Sequence, residues 1–195
     1  MAEFPNIGQK KGFWMSHEED EDAKDGHSKH SSPEKESFSK TKKPKIAFET
    51  IVLLAIASRI VLKEFPILDI PSLEPVIPLA VLAGTLYGAT EGAIVGAFGY
   101  VFSNFFIDLG RGFGLWNLPQ AIGGGLAGIL GSISKKAQFL STIVWGTIAY
   151  ELILNIWSAD FTIDFGYIGG SLPFSIIHIL GNLLFGWILA ELYLK

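Results

Sequence analysis

The sequence predicts an all-α fold: a polytopic membrane protein built as a six-transmembrane-helix bundle behind a disordered N-terminal tail. Three observations carry that expectation. First, hydrophobic residues make up 49% of the 195 residues but are unevenly spread. Residues 1–44 hold eight lysines and nine carboxylates, whereas residues 45–195 hold only seven Lys or Arg and ten Asp or Glu between long apolar runs. That is the composition of a polar tail (1–44) followed by a membrane domain (45–195). Second, small residues recur at four-residue spacing, as in Ala80, Gly84 and Gly88, Gly92 and Gly96, and Gly124 and Gly128. Small side chains so spaced let membrane helices approach closely. Third, the few polar side chains inside the apolar runs fall at matching depths.

The tail mixes charges of both signs with Ser, Gly and Pro. It cannot bury enough apolar surface to offset the entropy of ordering, so disorder is expected. His17, His27 and His30 lie there among carboxylates. They could hold a metal loosely, but nothing rigid fixes them, so a solvated linker is the better reading and no metal is assigned. Lys40, Lys42, Lys43 and Lys45 precede the first apolar run and, by the positive-inside rule, place the N-terminus in the cytoplasm. No apolar core follows Met1, so no secretory signal is expected. The absence of cysteine excludes a disulfide framework and thiolate chemistry. The net charge of −4, with no basic stripe, argues against nucleic acid.

Helix 1 is expected from about Ile46 to Leu62. The connection Lys63 to Pro78 has four prolines and three carboxylates, so it reads as a loop or re-entrant segment. Helix 2 is expected from about Val76 to Tyr87, a tight turn over Gly88 to Glu91, and helix 3 from Gly92 to Phe106. After the loop IDLGRGFG, helix 4 runs from about Asn117 to Ile133, polar at its start and glycine-rich after it. Helix 5 follows over Phe139 to Ser158, then an acidic, aromatic loop over Ala159 to Gly170, and helix 6 over Leu172 to Leu194. Six spans put both termini on the cytoplasmic side, with Lys135 and Lys136 in a cytoplasmic loop. Several of these helices fall short of the roughly 20 residues that cross a bilayer upright.

Ionisable and amide groups within such helices are functional candidates by default. The alternating directions place Arg59 in the outer third of helix 1 and Asn104 at the outer end of helix 3. Trp116, Asn117 and Gln120 begin helix 4 on the same side. Glu151 and Asn155 share a face of helix 5, four residues apart, and His178 and Asn182 do so on helix 6. Glu74 closes the first outer loop, and Trp157 lies near the end of helix 5. Polar groups clustered with aromatic walls suit a small-molecule pocket open to the outside. They also suit helix-to-helix hydrogen bonding alone, and Arg59 with Glu151 could be a structural ion pair.

The stretch FP-x4-PSLEPVIPLAVLAGTLYGATEGAIVGAFGYVFSNFF, followed by GLWNLPQAIGGGLAGILG, resembles the substrate-binding S components of energy-coupling factor (ECF) vitamin transporters. The resemblance spans about Ile46 to Lys195. It rests on Pro75, the Ala83-Gly84 and Tyr87-Gly88 pairs, Ser103-Asn104, and the entry Trp116 to Gln120. It implies a prokaryotic cell-membrane protein with a micronutrient pocket near the outer face, capped by the loop between helices 1 and 2. It implies partners in a membrane T component and two ATP-binding-cassette ATPases; ATP would be used there, with no cofactor in this chain. The family's Ala-x-x-x-Ala docking pattern on helix 1 is not matched, since no two of Ala47, Ala55 and Ala57 lie four apart.

The function expected is therefore capture of a vitamin-like solute. Arg59 or His178 would pair with an anionic group, the amides would hydrogen-bond, and Trp116 and Trp157 would stack on a ring. No GxSxG, HExxH or Walker A signature points to an enzyme. Two other classes stay open: an intramembrane enzyme using Glu151 and His178 as acid and base, and a structural or assembly membrane protein.

Overall fold

The computed structural model describes residues 45–64, 72–107, 113–161 and 165–195. The expected tail disorder, and the loop charges Asp69, Asp108, Arg111 and Asp164, lie outside the described residues. The helices fall in one unit, Lys42–Lys195. They are α1 (Phe48–Glu64), α2 (Val76–Tyr87), α3 (Ala89–Phe106), α4 (Asn117–Ser132), α5 (Phe139–Ser158) and α6 (Phe165–Leu189). A 3₁₀ turn, Lys136–Gln138, leads into α5, and a π-helical turn, Ala190–Leu194, follows α6. No strand occurs among the described residues.

α2 is the axis of the bundle. Its sequence, VIPLAVLAGTLY, carries no charge, and a helix apolar on all sides must be enclosed. Every residue from Val76 to Gly84 is buried, and each of the other five α-helices packs against it. Pro78 sits in its first turn, where a missing N–H costs no helical hydrogen bond.

The glycine spacing does its work between α2, α3 and α4. A Cβ on Gly96 would stand 1.9 Å from the carbonyl oxygen of Gly124, and one on Gly128 would stand 2.0 Å from that of Gly92. On Gly84 it would lie 2.1 Å from the oxygen of Gly128, and on Gly131 it would lie 2.4 Å from that of Val81. The backbones of the three helices are thus in direct contact, which only hydrogen at those positions permits. Gly123, Gly125 and Gly128 also have the spacing of a dinucleotide-binding fingerprint. They lie inside a continuous helix with no strand before it, so they cradle nothing.

Two boundaries differ from the sequence expectation. The turn between α2 and α3 is a single residue, Gly88, at φ 119° and ψ 179°, a conformation strained for any other residue. α6 begins at Phe165 and not at Leu172, running through Gly169, Gly170 and Pro173. Gly169 and Gly170 read as the end of a loop, but the helix runs through them; Pro173, within the expected helix, forfeits one N–H bond.

Polar side chains are buried beside the apolar core. Arg59, Glu74, Ser103, Asn104, Asn117, Gln120, Thr147, Asn155, His178 and Asn182 are buried. Large apolar side chains face outward, among them Leu53 on α1, Phe105 on α3, Trp145 on α5 and Leu180 on α6. Two helical stretches, Lys136–Ser158 and Ile168–Leu194, are long and apolar enough to cross a membrane.

Candidate functional site

The buried polar groups form two networks that meet at one cavity. The first starts at Arg59 near the end of α1. A guanidinium removed from water needs a counter-charge and partners for its donors. Its Nε donates to Oε2 of Glu74, which lies just before α2. Its Nη1 donates to Ser103 Oγ at 2.7 Å and to Asn104 Oδ1 at 2.5 Å, both on α3. The Asn104 amide in turn donates to Asn117 Oδ1 at 2.6 Å and Gln120 Oε1 at 2.5 Å on α4. Asn117 passes its own amide to the Gly114 carbonyl at 2.8 Å. The Tyr100 ring lies under the Arg59 guanidinium, with its centre 5.1 Å away, adding a cation–π contact.

The second network joins α5 to α6. His178 Nδ1 lies 2.6 Å from Glu151 Oε1, and Ser175 Oγ donates to Glu151 Oε2 at 3.0 Å. One helical turn on, Asn182 Nδ2 donates to Thr147 Oγ1 at 2.9 Å. Aromatic rings tie the networks together. Tyr100 and Tyr150 stack at 4.8 Å, and the edge-on contact of Tyr150 with His178 spans 5.3 Å.

Between the networks lies a cavity of about 230 Å³ lined by Arg59, Lys63, Ser72, Glu74, Gln120, Tyr150, Glu151, Leu154 and His178. Three buried polar side-chain atoms among the described residues lack a hydrogen-bond partner, Tyr100 Oη, Asn182 Oδ1 and His178 Nε2, and of these three residues His178 lines the cavity. His178 is 1% exposed; Glu151 orients its ring through Nδ1, and Glu74 Oε1 lies 3.9 Å from Nε2.

No family model matches this chain, and no curated protein or solved structure is similar to it. Function therefore has to be argued from the geometry.

Of the residues singled out from sequence, Arg59, Glu74, Gln120, Glu151 and His178 line the cavity. Asn104 and Asn117 stand behind it, orienting Arg59 and Gln120 through hydrogen bonds. Asn182 and Asn155 are buried on α6 and α5 but are not among the lining residues. Neither tryptophan reaches the cavity. Trp116 precedes α4 and is 40% exposed, while Trp157 packs edge-on against Phe161 at 5.2 Å. The Arg59–Glu151 pair does not form, because Glu74 folds over the end of α1 and takes the guanidinium, leaving Glu151 to His178. Arg59, with its Nε and Nη1 committed to the protein, is an organiser of the site before it is a ligand contact. Sequence reasoning passed over Tyr100, Tyr150, Ser175, Lys63 and Ser72. Helical spacing held a signal for two of these. Tyr100 lies four residues before Asn104 and Ser175 three before His178, each on the face of a candidate already chosen. Among the described residues, no three metal-type side chains come together.

Proposed function

We propose that the chain is a six-span membrane protein that captures a small solute in the cavity between Glu74 and His178. On this reading it serves as the substrate-binding subunit of an ECF-type importer in a prokaryotic cell membrane. What supports the membrane setting is that leucine, phenylalanine and tryptophan side chains face outward while charged and amide groups, Arg59, Glu74 and Asn104 among them, are buried beside the apolar core. A bilayer makes that arrangement stable, and water does not. The observation that carries the binding reading is the convergence of Arg59, Glu74, Gln120 and His178, all buried, on one cavity with the Tyr150 ring in its wall. A concave site walled by an aromatic ring and a few fixed polar groups is the usual form of a small-molecule pocket. The importer assignment rests on the sequence resemblance alone. With it come a vitamin-like substrate, both termini in the cytoplasm, and partners in a T component and two ATPases.

The test is purification in detergent followed by mass spectrometry of co-purified small molecules, and then melting curves against a broad vitamin panel. A solute that binds at 100 times its Kd stabilises by about 2.7 kcal/mol, which shifts a melt measurably. No bound solute and no shift with any panel member would remove the reading.

A second reading is favoured by one distance, the 2.6 Å between Glu151 and His178, which is the geometry of a carboxylate-oriented general base. It treats the protein as an intramembrane enzyme. Glu151→Gln would then abolish turnover while ligand binding survives, whereas a parent protein that converts no bound solute excludes it.

A further inference from the structure

We propose that the groove between the end of α4 and the start of α5 holds the headgroup and upper acyl chain of an anionic phospholipid. The inference rests on the membrane setting proposed above. It does not rest on the solute cavity, with which the groove shares no lining residue.

The groove has a volume of about 350 Å³, and both of its walls grade from polar to apolar. On one wall Gln138, Ser141, Thr142 and Trp145 follow at three- and four-residue spacing, so they share a face at the start of α5. From amide and hydroxyls to indole that face runs about 10 Å, at 1.5 Å per residue. The other wall runs from Ser134, just past α4, back to Leu130 within it. Thr142 Oγ1 donates to Ser134 Oγ at 2.8 Å and joins the walls at their polar end.

Charge and depth together name the occupant. Lys135 and Lys136 stand in the chain between the lining residues Ser134 and Gln138, and both are exposed. From Phe113 to Tyr150 the chain carries these two lysines and no Asp or Glu. Lys136 Nζ donates to the Leu194 carbonyl at 3.3 Å and Lys45 Nζ to that of Lys195 at 3.4 Å, which brings a third cation to the same end. Glu191 at that end is paired with Lys195. A basic rim on a pocket between membrane helices attracts anionic headgroups. Lys136 also begins Lys136–Ser158, a stretch long and apolar enough to cross a membrane. In a bilayer placed by that stretch, the lysines stand at headgroup level and Trp145, 65% exposed, stands below them toward the acyl chains. A free phosphate or an acidic peptide would answer the lysines and leave the apolar half uncovered. A zwitterionic lipid would cover that half and leave the lysines without a counter-charge. An anionic lipid meets both.

The experiment uses the full chain in phosphatidylcholine nanodiscs with a rising fraction of one brominated lipid, either phosphatidylglycerol or phosphatidylcholine. Bromine quenches a tryptophan that it touches, and the Trp145 signal is the difference between the parent and Trp145→Phe. Half-quenching should come at about a five- to thirtyfold lower mole fraction of the phosphatidylglycerol, since each lysine near an anionic lipid contributes about a factor of five. Lys135→Gln combined with Lys136→Gln should remove that difference. Ser141→Phe, which fills the groove and keeps both lysines, should shrink it several-fold. All four positions are exposed, so the variants keep the fold. Equal quenching by the two lipids overturns the inference, and so does a difference that survives either variant. A second copy of the chain seated on the groove would shield Trp145 from both lipids and overturn it too. Trp187 on α6, 55% exposed, reads the membrane setting separately, through Trp187→Phe. Both lipids should quench it alike; if neither does, the membrane setting fails and this site with it. Solute binding stands or falls on the vitamin-panel melts.

Discussion

Arg59 is 6% exposed, and its position explains why so many buried polar groups are tolerated around it. One guanidinium supplies donors to Glu74, Ser103 and Asn104, and Asn104 relays them to Asn117 and Gln120. Arg59→Ala would leave the Glu74 carboxylate buried without its partner. Breaking a buried pair from one side costs about 3–5 kcal/mol, so the variant should melt well below the parent in detergent. Arg59→Met combined with Glu74→Met removes both charges and should recover much of that loss. A single variant that melts with the parent would show that the pair holds nothing together. That these residues are buried polar groups was legible in the sequence, because an ionisable group inside an apolar run stands out. Their partners were not. Spacing along one helix says which residues share a face, but not toward which helix that face turns. Glu151 was therefore a reasonable partner for Arg59, and Glu74, in a proline-rich loop, was not an obvious one. Trp116 and Trp157 failed for a related reason: an aromatic ring suits a ligand wall, a core contact or an apolar exterior equally well.

Between helices the decisive quantity is backbone separation. α3 and α4 approach so closely at Gly92, Gly96, Gly124 and Gly128 that a single methyl would overlap a carbonyl group. Gly128→Ala should cost at least the 1–3 kcal/mol, roughly, that overpacking costs in a rigid core, and more if the helices cannot separate. Gly170, inside α6, has nothing within 4 Å of where its Cβ would be. Gly170→Ala should therefore be neutral or stabilising by up to about 1 kcal/mol through helix propensity. The two variants make one experiment: the melt of Gly128→Ala should fall while that of Gly170→Ala holds or rises, and equal shifts would contradict the packing described. The four-residue glycine spacing made this contact legible in advance. The start of α6 was hidden because glycine marks loops in most chains, whereas here the helix runs on through Gly169 and Gly170.

The molecule as a whole carries large apolar side chains on its outside, and the topology this suggests is testable by simple chemistry. The chain has no cysteine, so a single introduced thiol reports one position. The proposed six spans with cytoplasmic termini would place Lys135 and Asp160 on opposite sides of the membrane. Lys135→Cys should react with an impermeant maleimide only from the cytoplasmic face of sealed vesicles, and Asp160→Cys only from the other. Labelling of both from the same face would sink the six-span arrangement. The number of helices was readable from the alternation of apolar runs with charged or proline-rich breaks. Span length was not, since among the described residues two helical stretches, Lys136–Ser158 and Ile168–Leu194, meet the length and hydropathy of a crossing segment.

The enclosed α2 has a consequence for how the chain comes to be made. It is 12 residues long, about 18 Å at 1.5 Å per residue, against a hydrocarbon layer of roughly 30 Å. Alone it is too short to hold itself across a bilayer. Of the helices that surround it, only α1 precedes it in the chain; α3, α4, α5 and α6 all follow. A segment synthesised second is thus completed last, and it has to be sheltered until its neighbours arrive. The single-residue link at Gly88 suits that need, because it delivers α3 together with α2 as one hairpin. Birth order and burial order run opposite ways in this protein, and the glycine at the turn is where the two are reconciled.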